Sequence, residues 1–242
     1  MKMTGAKMVI EALIAENTKT IFGYPGGAIM NVYDEIYKQD SFRHVLTRHE
    51  QAAIHAAQGY ARVTGNVGVA MVTSGPGFTN AVTGLADAYM DSTPLVVISG
   101  QVPMALIGTD GFQEIDAVGI SRPCTKHNYL VTDAKDLPRV LKEAFYIASS
   151  GRPGPVHIDI PKDVTAQIEE FIYPDSVNIP TYKPSTKGNN RQIQKAIDAI
   201  ASAKQPLLYI GGGIKNAKAS SEVLEFVNKT KIPVVETFMA KG

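Results

Sequence analysis

The chain has 242 residues, 44% of them hydrophobic, and its 24 basic and 23 acidic side chains give a formal charge of +1. This length predicts one large or two modest domains with ample apolar material for a core. The balanced charge argues against a protein that coats nucleic acid or an anionic membrane. The single cysteine, Cys124, excludes an internal disulfide framework and favours a reducing, cytoplasmic location. No apolar run is long enough to span a bilayer.

Short apolar runs alternate with helical patterns along the first two thirds of the chain. The spacing predicts helices over 4–16, 28–37, 50–64, 78–90 and 136–149, and strands over 20–22, 45–47, 67–73, 94–99 and 155–160. Thr4 is a predicted N-cap for the first helix, and residues 101–127 are expected to be irregular. Strands that alternate with helices in this way predict an α/β fold with a doubly wound parallel sheet.

The alternation breaks over residues 166–189, where proline, serine, glycine and asparagine are frequent and no periodicity is present. We interpret this segment as a linker between a first domain, residues 1–165, and a second that begins at 190. The second segment predicts helices over 191–203 and 218–229 and strands over 206–210 and 232–236. Two strands and two helices cannot cover both faces of a parallel sheet. We therefore expect the start of a second, Rossmann-like α/β domain and a chain that is a fragment of a longer protein.

Glu50 follows one predicted strand and begins the next predicted helix. The helix macrodipole alone favours an acid at such a position. However, the carboxyl ends of strands are also where ligands bind in open α/β sheets. Two glycine-rich loops, 24–27 and 74–77, should emerge at the same edge. We therefore predict open space for a planar ligand beside Glu50.

Other motifs are weaker. Gly211, Gly212 and Gly213 lie between a predicted strand and a predicted helix but lack the G-x-G-x-x-G spacing of a dinucleotide fingerprint. A turn that requires positive φ explains them about equally well. Arg152 lies in a Gly-Arg-Pro-Gly-Pro loop, and a solvent-exposed loop position is enough to explain an arginine there. The five histidines show no metal-ligand spacing, so no metal site is predicted within these residues.

Several motifs of residues 4–165 are together characteristic of one family. They are Arg48-His49-Glu50, Ser74-Gly75-Pro76-Gly77, Asn80, Ala86-Asp87-Ala88-Tyr89, Asp91, Pro94 and Gly100-Gln101. In this order they resemble the N-terminal, pyrimidine-binding domain of thiamine-diphosphate enzymes. Three further segments, 22–28, 111–114 and 151–156, resemble the large, catalytic subunits of the acetolactate synthase (acetohydroxyacid synthase) family. The remainder of the chain resembles the start of that family's central domain.

The resemblance implies a specific role for Glu50. Its carboxylate would hydrogen-bond N1′ of the aminopyrimidine ring of thiamine diphosphate, so that the cofactor's own amino group acts as a base on the thiazolium. The implied reaction decarboxylates pyruvate and joins the two-carbon unit to a second 2-keto acid, pyruvate or 2-ketobutyrate. Acetolactate or acetohydroxybutyrate, which are precursors of branched-chain amino acids, would be released.

The resemblance also assigns further residues. The pyrimidine pocket would be lined by Tyr24, Pro25, Gly26, Gly27, Pro76 and Asn80. Gln113 would lie near the reacting centre with Phe112 beside it. Lys162 matches a family lysine at the mouth of the active site, although a solvated position at a helix start explains it about as well. Arg152 and the three glycines 211–213 would contact FAD, which this family retains without a redox step in the main reaction.

The family binds the diphosphate through Mg²⁺, using a Gly-Asp-Gly segment and a later Asn that have no match in these residues. We therefore expect the Mg²⁺ ligands to lie outside this fragment and the fragment alone to be inactive. The implied partners are a second copy of the chain, in a homodimer or higher oligomer, and a small regulatory subunit. The alternatives that remain open are a pyruvate oxidase or decarboxylase, a non-catalytic binding module, and a nicotinamide-nucleotide dehydrogenase.

Overall fold

A computed structural model describes residues 1–241, which divide into two compact units after Tyr182. The helices of the first unit are α1 (Gly5–Ala15), α2 (Met30–Tyr37), α3 (Glu50–Thr64), α4 (Pro76–Met90), α5 (Ala117–Ser121), α6 (Leu137–Ser149) and α7 (Lys162–Ala166). Its strands are β1 (Lys2–Thr4), β2 (Thr20–Gly23), β3 (Arg43–Leu46), β4 (Gly68–Val72), β5 (Leu95–Gln101), β6 (His127–Leu130), β7 (Pro155–Pro161) and β8 (Ile168–Glu170).

Six of these strands form one sheet in the order β3-β2-β4-β5-β7-β6, and every pair in it is parallel. The prediction of a parallel α/β sheet is therefore confirmed. Strands β1 and β8 form a separate antiparallel pair. Because all six strands run in one direction, their carboxyl ends share one edge, and the loops that follow them meet there.

Alternate residues of β4 show how the sheet is covered on both faces. Val69 and Met71 belong to a core cluster with residues of α1, α2 and α6. Ala70 and Val72 belong to a second cluster with residues of α3 and α4. Strands β5 and β7 are buried along their whole length, as the continuous apolar run at 94–99 predicts for a strand buried on both faces. The first unit is thus a doubly wound sheet between two helical layers.

Most predicted elements are present within two residues of their expected bounds, and helix α3 spans 50–64 as predicted. Helix α4 begins at Pro76 rather than at 78, because proline suits the first helical position and Gly75 supplies the preceding turn with φ of 54°. Helix α2 begins at Met30, two residues later than predicted. Residues 101–127 are not wholly irregular, since α5 lies within them, and strand β6 at the sheet edge was not predicted at all.

The proline-rich segment after residue 165 continues the first unit for some distance. Strand β8 pairs with β1, and Phe171, Tyr173 and Tyr182 pack against the core cluster that contains α1 and α6. The division between the units therefore falls between Tyr182 and Lys183. Among residues 1–241, no helix combines the length and the apolar character that a membrane crossing requires.

The second unit has a smaller inventory. It contains α8 (Asn190–Ser202), β9 (Leu208–Ile210), α9 (Gly213–Asn216), α10 (Ser220–Thr230) and β10 (Val234–Glu236). Strands β9 and β10 form a parallel pair. Of the described residues from 183 onward, only Ile232 is buried. The predicted α/β pattern is present here, but it encloses almost no core.

Candidate functional site

The Glu50 carboxylate lies where two helices of the first unit begin. Helix α3 starts at Glu50 itself, with His49 as its N-cap. The side chain is 8% exposed. Asn80, in the second turn of α4, donates a hydrogen bond from Nδ2 to Glu50 Oε2 at 3.0 Å. The amide fixes the orientation of the carboxylate, and the hydrogen bonds of the described residues leave Oε1 without a donor.

Glycine is required around this carboxylate for steric reasons. A Cβ at Gly77 would lie 3.2 Å from Glu50 Oε1 and 2.6 Å from Thr73 Cγ2. A Cβ at Gly26 would lie 2.5 Å from Thr73 Cβ. The loop after β2 and the turn after β4 therefore both approach Thr73, next to Glu50. The expected convergence of two glycine-rich loops at this edge is present.

Thr73 was not among the predicted site residues. It is 7% exposed, and its Oγ1 has no hydrogen-bond partner among the described residues. A buried hydroxyl without a partner costs about 1–3 kcal/mol, so it marks a position that a polar ligand can satisfy. The available signal in the sequence was its place at the carboxyl end of β4, directly before the glycine-rich turn.

The loop after β5 brings Gln113 to the start of α4. Gln113 has φ of 59° and faces Gly75, which has φ of 54°. A Cβ at Gly75 would lie 2.6 Å from the carbonyl oxygen of Gln113. The structure thus places Gln113 beside the turn that carries Pro76 and Gly77. The neighbouring Phe112 side chain is 89% exposed.

The remaining predicted pocket residues share the same edge of the sheet. Tyr24 donates its backbone N–H to Met71 O at 3.2 Å, which ties the loop after β2 to β4. Pro25 and Gly27 are exposed in that loop, and Pro76 is exposed at the first position of α4. The structure therefore places these residues at the same carboxyl edge as Glu50, Thr73 and Asn80.

Lys162 begins α7 directly after β7, also at the carboxyl edge, and its side chain is exposed. Strand β7 lies two positions from β4 in the sheet. The adjacent Asp163 accepts the backbone N–H of Met104 at 3.2 Å, which fixes the start of the loop that carries Gln113. Lys162 is thus at the right edge but makes no side-chain hydrogen bond or ion pair with another described residue.

Arg152 lies at the opposite, amino edge, because it precedes β7. Its Nε donates to Ser92 Oγ at 2.6 Å and its Nη2 donates to Met90 O at 3.1 Å. A cavity of about 290 Å³ borders it. A larger cavity, about 480 Å³, also lies away from Glu50 and is lined in part by Lys19 and Tyr60. The structure therefore does not bring Arg152 together with the Glu50 site.

The three glycines at 211–213 follow β9, and α9 begins at Gly213. None of them has positive φ, so the explanation by a positive-φ turn is wrong. A Cβ at Gly213 would meet nothing within 4 Å. A Cβ at Gly212 would lie 3.2 Å from Met239 Cβ, so open space is present at Gly213 alone of the two, and it is not specific for a ligand.

Burial and charge around Glu50 act on a neighbouring phenol. Burial, and in second place the Glu50 charge, raise the pKa of Tyr33 well above its ordinary value. Tyr33 donates its hydroxyl to Met71 O at 3.3 Å. The phenol therefore stays protonated at every physiological pH. Within residues 1–241, no group of three or more His, Cys, Asp or Glu side chains is arranged to hold a metal ion.

These features fit a flat heterocycle with polar edges. Glycines at 26 and 77 let the two loops pack closely against Thr73, Glu50 Oε1 is available as an acceptor, and the Thr73 hydroxyl lacks a partner among the described residues. A carboxylate held in this way can stabilise a protonated ring nitrogen. The arrangement thus suits the aminopyrimidine that the sequence motifs imply.

Two family descriptions match the chain. Residues 3–120 match "Thiamine pyrophosphate enzyme, N-terminal TPP binding domain", and residues 193–242 match "Thiamine pyrophosphate enzyme, central domain". The first match contains Glu50, Thr73, Gly77, Asn80 and Gln113. The two matches lie in the first and the second structural unit, respectively.

Similar proteins carry related names. The chain is 55% identical over 241 residues to "Acetolactate synthase" of Mycobacterium leprae, covering 100% of this chain and 39% of that protein. It is 50% identical over 242 residues to "Acetolactate synthase isozyme 3 large subunit" of Escherichia coli, covering 99% of this chain and 42% of that protein. The chain therefore spans about two fifths of the length of these relatives.

Proposed function

This chain belongs to the thiamine pyrophosphate enzyme family, and we propose that it is the N-terminal part of an acetolactate synthase large subunit. The proposed enzyme is a transferase that decarboxylates pyruvate and joins the two-carbon unit to pyruvate or 2-ketobutyrate. The observation that carries the proposal is the Glu50 carboxylate, oriented by Asn80 and faced by Gly77.

When bound, thiamine diphosphate supplies an acidic thiazolium carbon that adds to a keto group and accepts the electrons released with carbon dioxide. Glu50 would hold a proton on the ring nitrogen N1′ by accepting its hydrogen bond, which would set the tautomer in which the ring's amino group can act as a base. Asn80 occupies Oε2, which would leave Oε1 for the ring. The glycines at 26 and 77 would let the two loops pack closely beside the ring, and Gln113 would lie near the reacting carbon.

Further parts of the proposal depend on the family alone. FAD would contact Arg152 and the glycines 211–213, which belong to separate units. Mg²⁺ would be bound by residues outside this chain. The active protein would be a homodimer or higher oligomer in the cytoplasm, and the "large subunit" in the relative's name supports a small regulatory subunit. Lys162 would lie at the mouth of the active site.

The experiment is to replace Glu50→Gln in the complete protein and measure acetolactate formation from pyruvate at saturating thiamine diphosphate and Mg²⁺. We expect kcat to fall by about 10²–10⁴, the usual contribution of a positioned acid–base group. Glu11→Gln is the matched control, because Glu11 lies on α1 and pairs with Lys7 at the surface. Unchanged kcat in Glu50→Gln would show that the assigned role is wrong.

Product analysis separates the alternative enzymes. A decarboxylase would release acetaldehyde, and an oxidase would consume an electron acceptor, whereas the proposed enzyme forms acetolactate. Consumption of pyruvate without acetolactate would contradict the proposed reaction even if Glu50 proved essential.

A further inference from the structure

The loop between β5 and α5 is closed at its base by one side-chain amide. Gln101, the last residue of β5, is 2% exposed. Its Nε2 donates to the carbonyl oxygen of Ile115 at 2.8 Å, and its Oε1 accepts the backbone N–H of Val102, also at 2.8 Å. One amide thus holds the first residue of the loop and its last.

A buried carboxylate fixes the orientation of that amide. Gln101 Nε2 donates its second hydrogen to Asp159 Oδ2 at 2.9 Å, and Asp159 is 1% exposed. A flipped amide would set Oε1 against two acceptors, Asp159 and Ile115, and Nε2 against the N–H donor of Val102. Only the observed orientation satisfies all three contacts, so Asp159 determines how Gln101 holds the loop.

The carboxylate is in turn the end of a longer buried network. Ser99 lies 2.5 Å from Asp159 Oδ1 and 2.7 Å from Nε2 of His157; with Asp159 ionised, Ser99 donates to the carboxylate and His157 Nε2 donates to Ser99 Oγ. In that arrangement His157 Nδ1 accepts from Ser121 at 2.9 Å, although Ser121 Oγ also lies 3.2 Å from Val118 O; Asn128 donates to Ser121 at 3.2 Å. Burial lowers the pKa of His157 to about 3, which agrees with a neutral ring.

The loop held in this way carries Gln113. The positive φ of Gln113 is a sparsely populated conformation for a residue other than glycine, and it persists only where neighbouring contacts determine it. Its backbone lies against Gly75, one residue before the first turn of α4. Within the loop, Glu114 accepts the N–H of Gly108 at 3.1 Å. The only side chain that bonds both ends of the loop is that of Gln101, as far as the described residues show.

We propose that Gln101, oriented by Asp159, is a positioning residue that holds the loop 102–115 so that Gln113 stays against Gly75 at the reacting centre. The inference rests on the proposed function, since it gives Gln113 its place in the reaction. If Gln101 had a purely structural role, its loss would lower stability without a specific effect on the loop or on kcat. The proposed role instead predicts that its loss frees the loop and lowers kcat.

The test compares Gln101→Met, which keeps the side-chain volume and removes the amide, with Asn128→Ala. The control removes the far end of the same network, which does not contact the loop. In the complete protein we expect amide hydrogen exchange over 102–116 to rise about tenfold or more in Gln101→Met, and to change less than about twofold in Asn128→Ala. If Gln101→Met does not fold, Gln101→Asn, whose amide is one methylene too short for Ile115, takes its place.

The kinetic arm is a double-mutant cycle with Gln113→Ala. We expect Gln101→Met to lower kcat about tenfold or more with KM for pyruvate nearly unchanged, and to add little to Gln113→Ala, because both changes remove one function. Unchanged exchange over 102–116, or fully additive losses of kcat, would overturn the proposal. If Gln113→Ala leaves kcat unchanged, the assignment of Gln113 in the proposed function fails, while the exchange data still decide whether Gln101 holds the loop.

Discussion

Both units place a glycine turn after a parallel strand and before a helix, at β4–α4 in the first and at β9–α9 in the second. In the first unit the turn is fully packed, since a Cβ at Gly77 would contact Thr73 and Glu50, whereas a Cβ at Gly213 would contact nothing. The difference follows from the number of strands: six strands give two covered faces, and two strands give none. Local sequence therefore sets the turn, and the surrounding sheet decides whether the turn forms a site.

The largest difference in stability between the two units is expected when a hydrophobic side chain is truncated. Ile98, in the centre of β5, is 0% exposed, and Ile197, on α8, is 50% exposed. We expect Ile98→Ala to lower the free energy of unfolding by about 2–5 kcal/mol because it leaves a cavity, and Ile197→Ala by less than about 1 kcal/mol. Urea unfolding followed by circular dichroism measures both. Similar losses for the two variants would mean that the two units do not differ in packing as described.

The next largest difference is expected when a glycine of each turn is replaced by alanine. Gly77→Ala forces Thr73 or Glu50 to move, so we expect a loss of stability of about 1–3 kcal/mol together with weaker binding of thiamine diphosphate. Gly213→Ala has open space and no positive φ, and an alanine there restricts the unfolded chain, so a gain of up to about 1 kcal/mol is expected. Thermal unfolding and calorimetric titration with the cofactor check the pair. Equal destabilisation of both variants would remove the distinction between a packed and an open turn.

A further difference depends on pH, since among the described residues only the first unit buries ionisable groups in its core. Burial, assisted slightly by Asp116, raises the pKa of Asp159 from 3.8 to about 7. The folded state therefore keeps a proton that the unfolded chain releases over this range, and the stability that Asp159 contributes falls as pH rises from about 4 to 7. Burial lowers the pKa of His157, so the stability that His157 contributes changes with pH in the opposite direction. His157 is present both in the parent chain and in Asp159→Asn, so its contribution cancels when the two are compared.

Accordingly, the stability of the parent chain relative to Asp159→Asn should decline with rising pH, by at most about 1.4 kcal/mol per pH unit, and level off above about pH 7. Urea unfolding from pH 5 to pH 8 measures the difference. Asp198→Asn, at an exposed position on α8 in the second unit, is the control for an aspartate-to-asparagine change outside the core. A flat difference for Asp159→Asn would show that its pKa is not raised.

The elements with strong periodicity and clear caps could be predicted from sequence. Helix α3 has its expected bounds, and the rule that ligands bind at strand carboxyl ends placed Glu50 beside both glycine-rich loops. Strand β6 could not be predicted, because its four residues lie at a half-exposed sheet edge and carry no apolar run. The location of Arg152 at the amino edge of the sheet, away from Glu50, could have been predicted from sequence, since a residue that precedes a strand lies at the strand's amino end.

Contacts between residues that are far apart in the chain could not be predicted from a single sequence. The partnerless Thr73 hydroxyl depends on the approach of Gly26 from another loop, and the network around Asp159 joins β5, β7, α5 and β6. None of these residues is unusual in its local sequence. Their chemical meaning arises only when the sheet has formed.

The closure of the loop 102–115 at Gln101 also affects how well the fold can tolerate insertions in that loop. With both ends fixed, the entropy of the intervening chain grows only with the logarithm of its length, and doubling such a loop costs about 0.6 kcal/mol. Residues 104–110 are mostly exposed and lie far from the amide that joins the ends. Insertions there should be tolerated by the fold while shifting what the loop presents beside Gln113, so that substrate choice could diversify without loss of the scaffold.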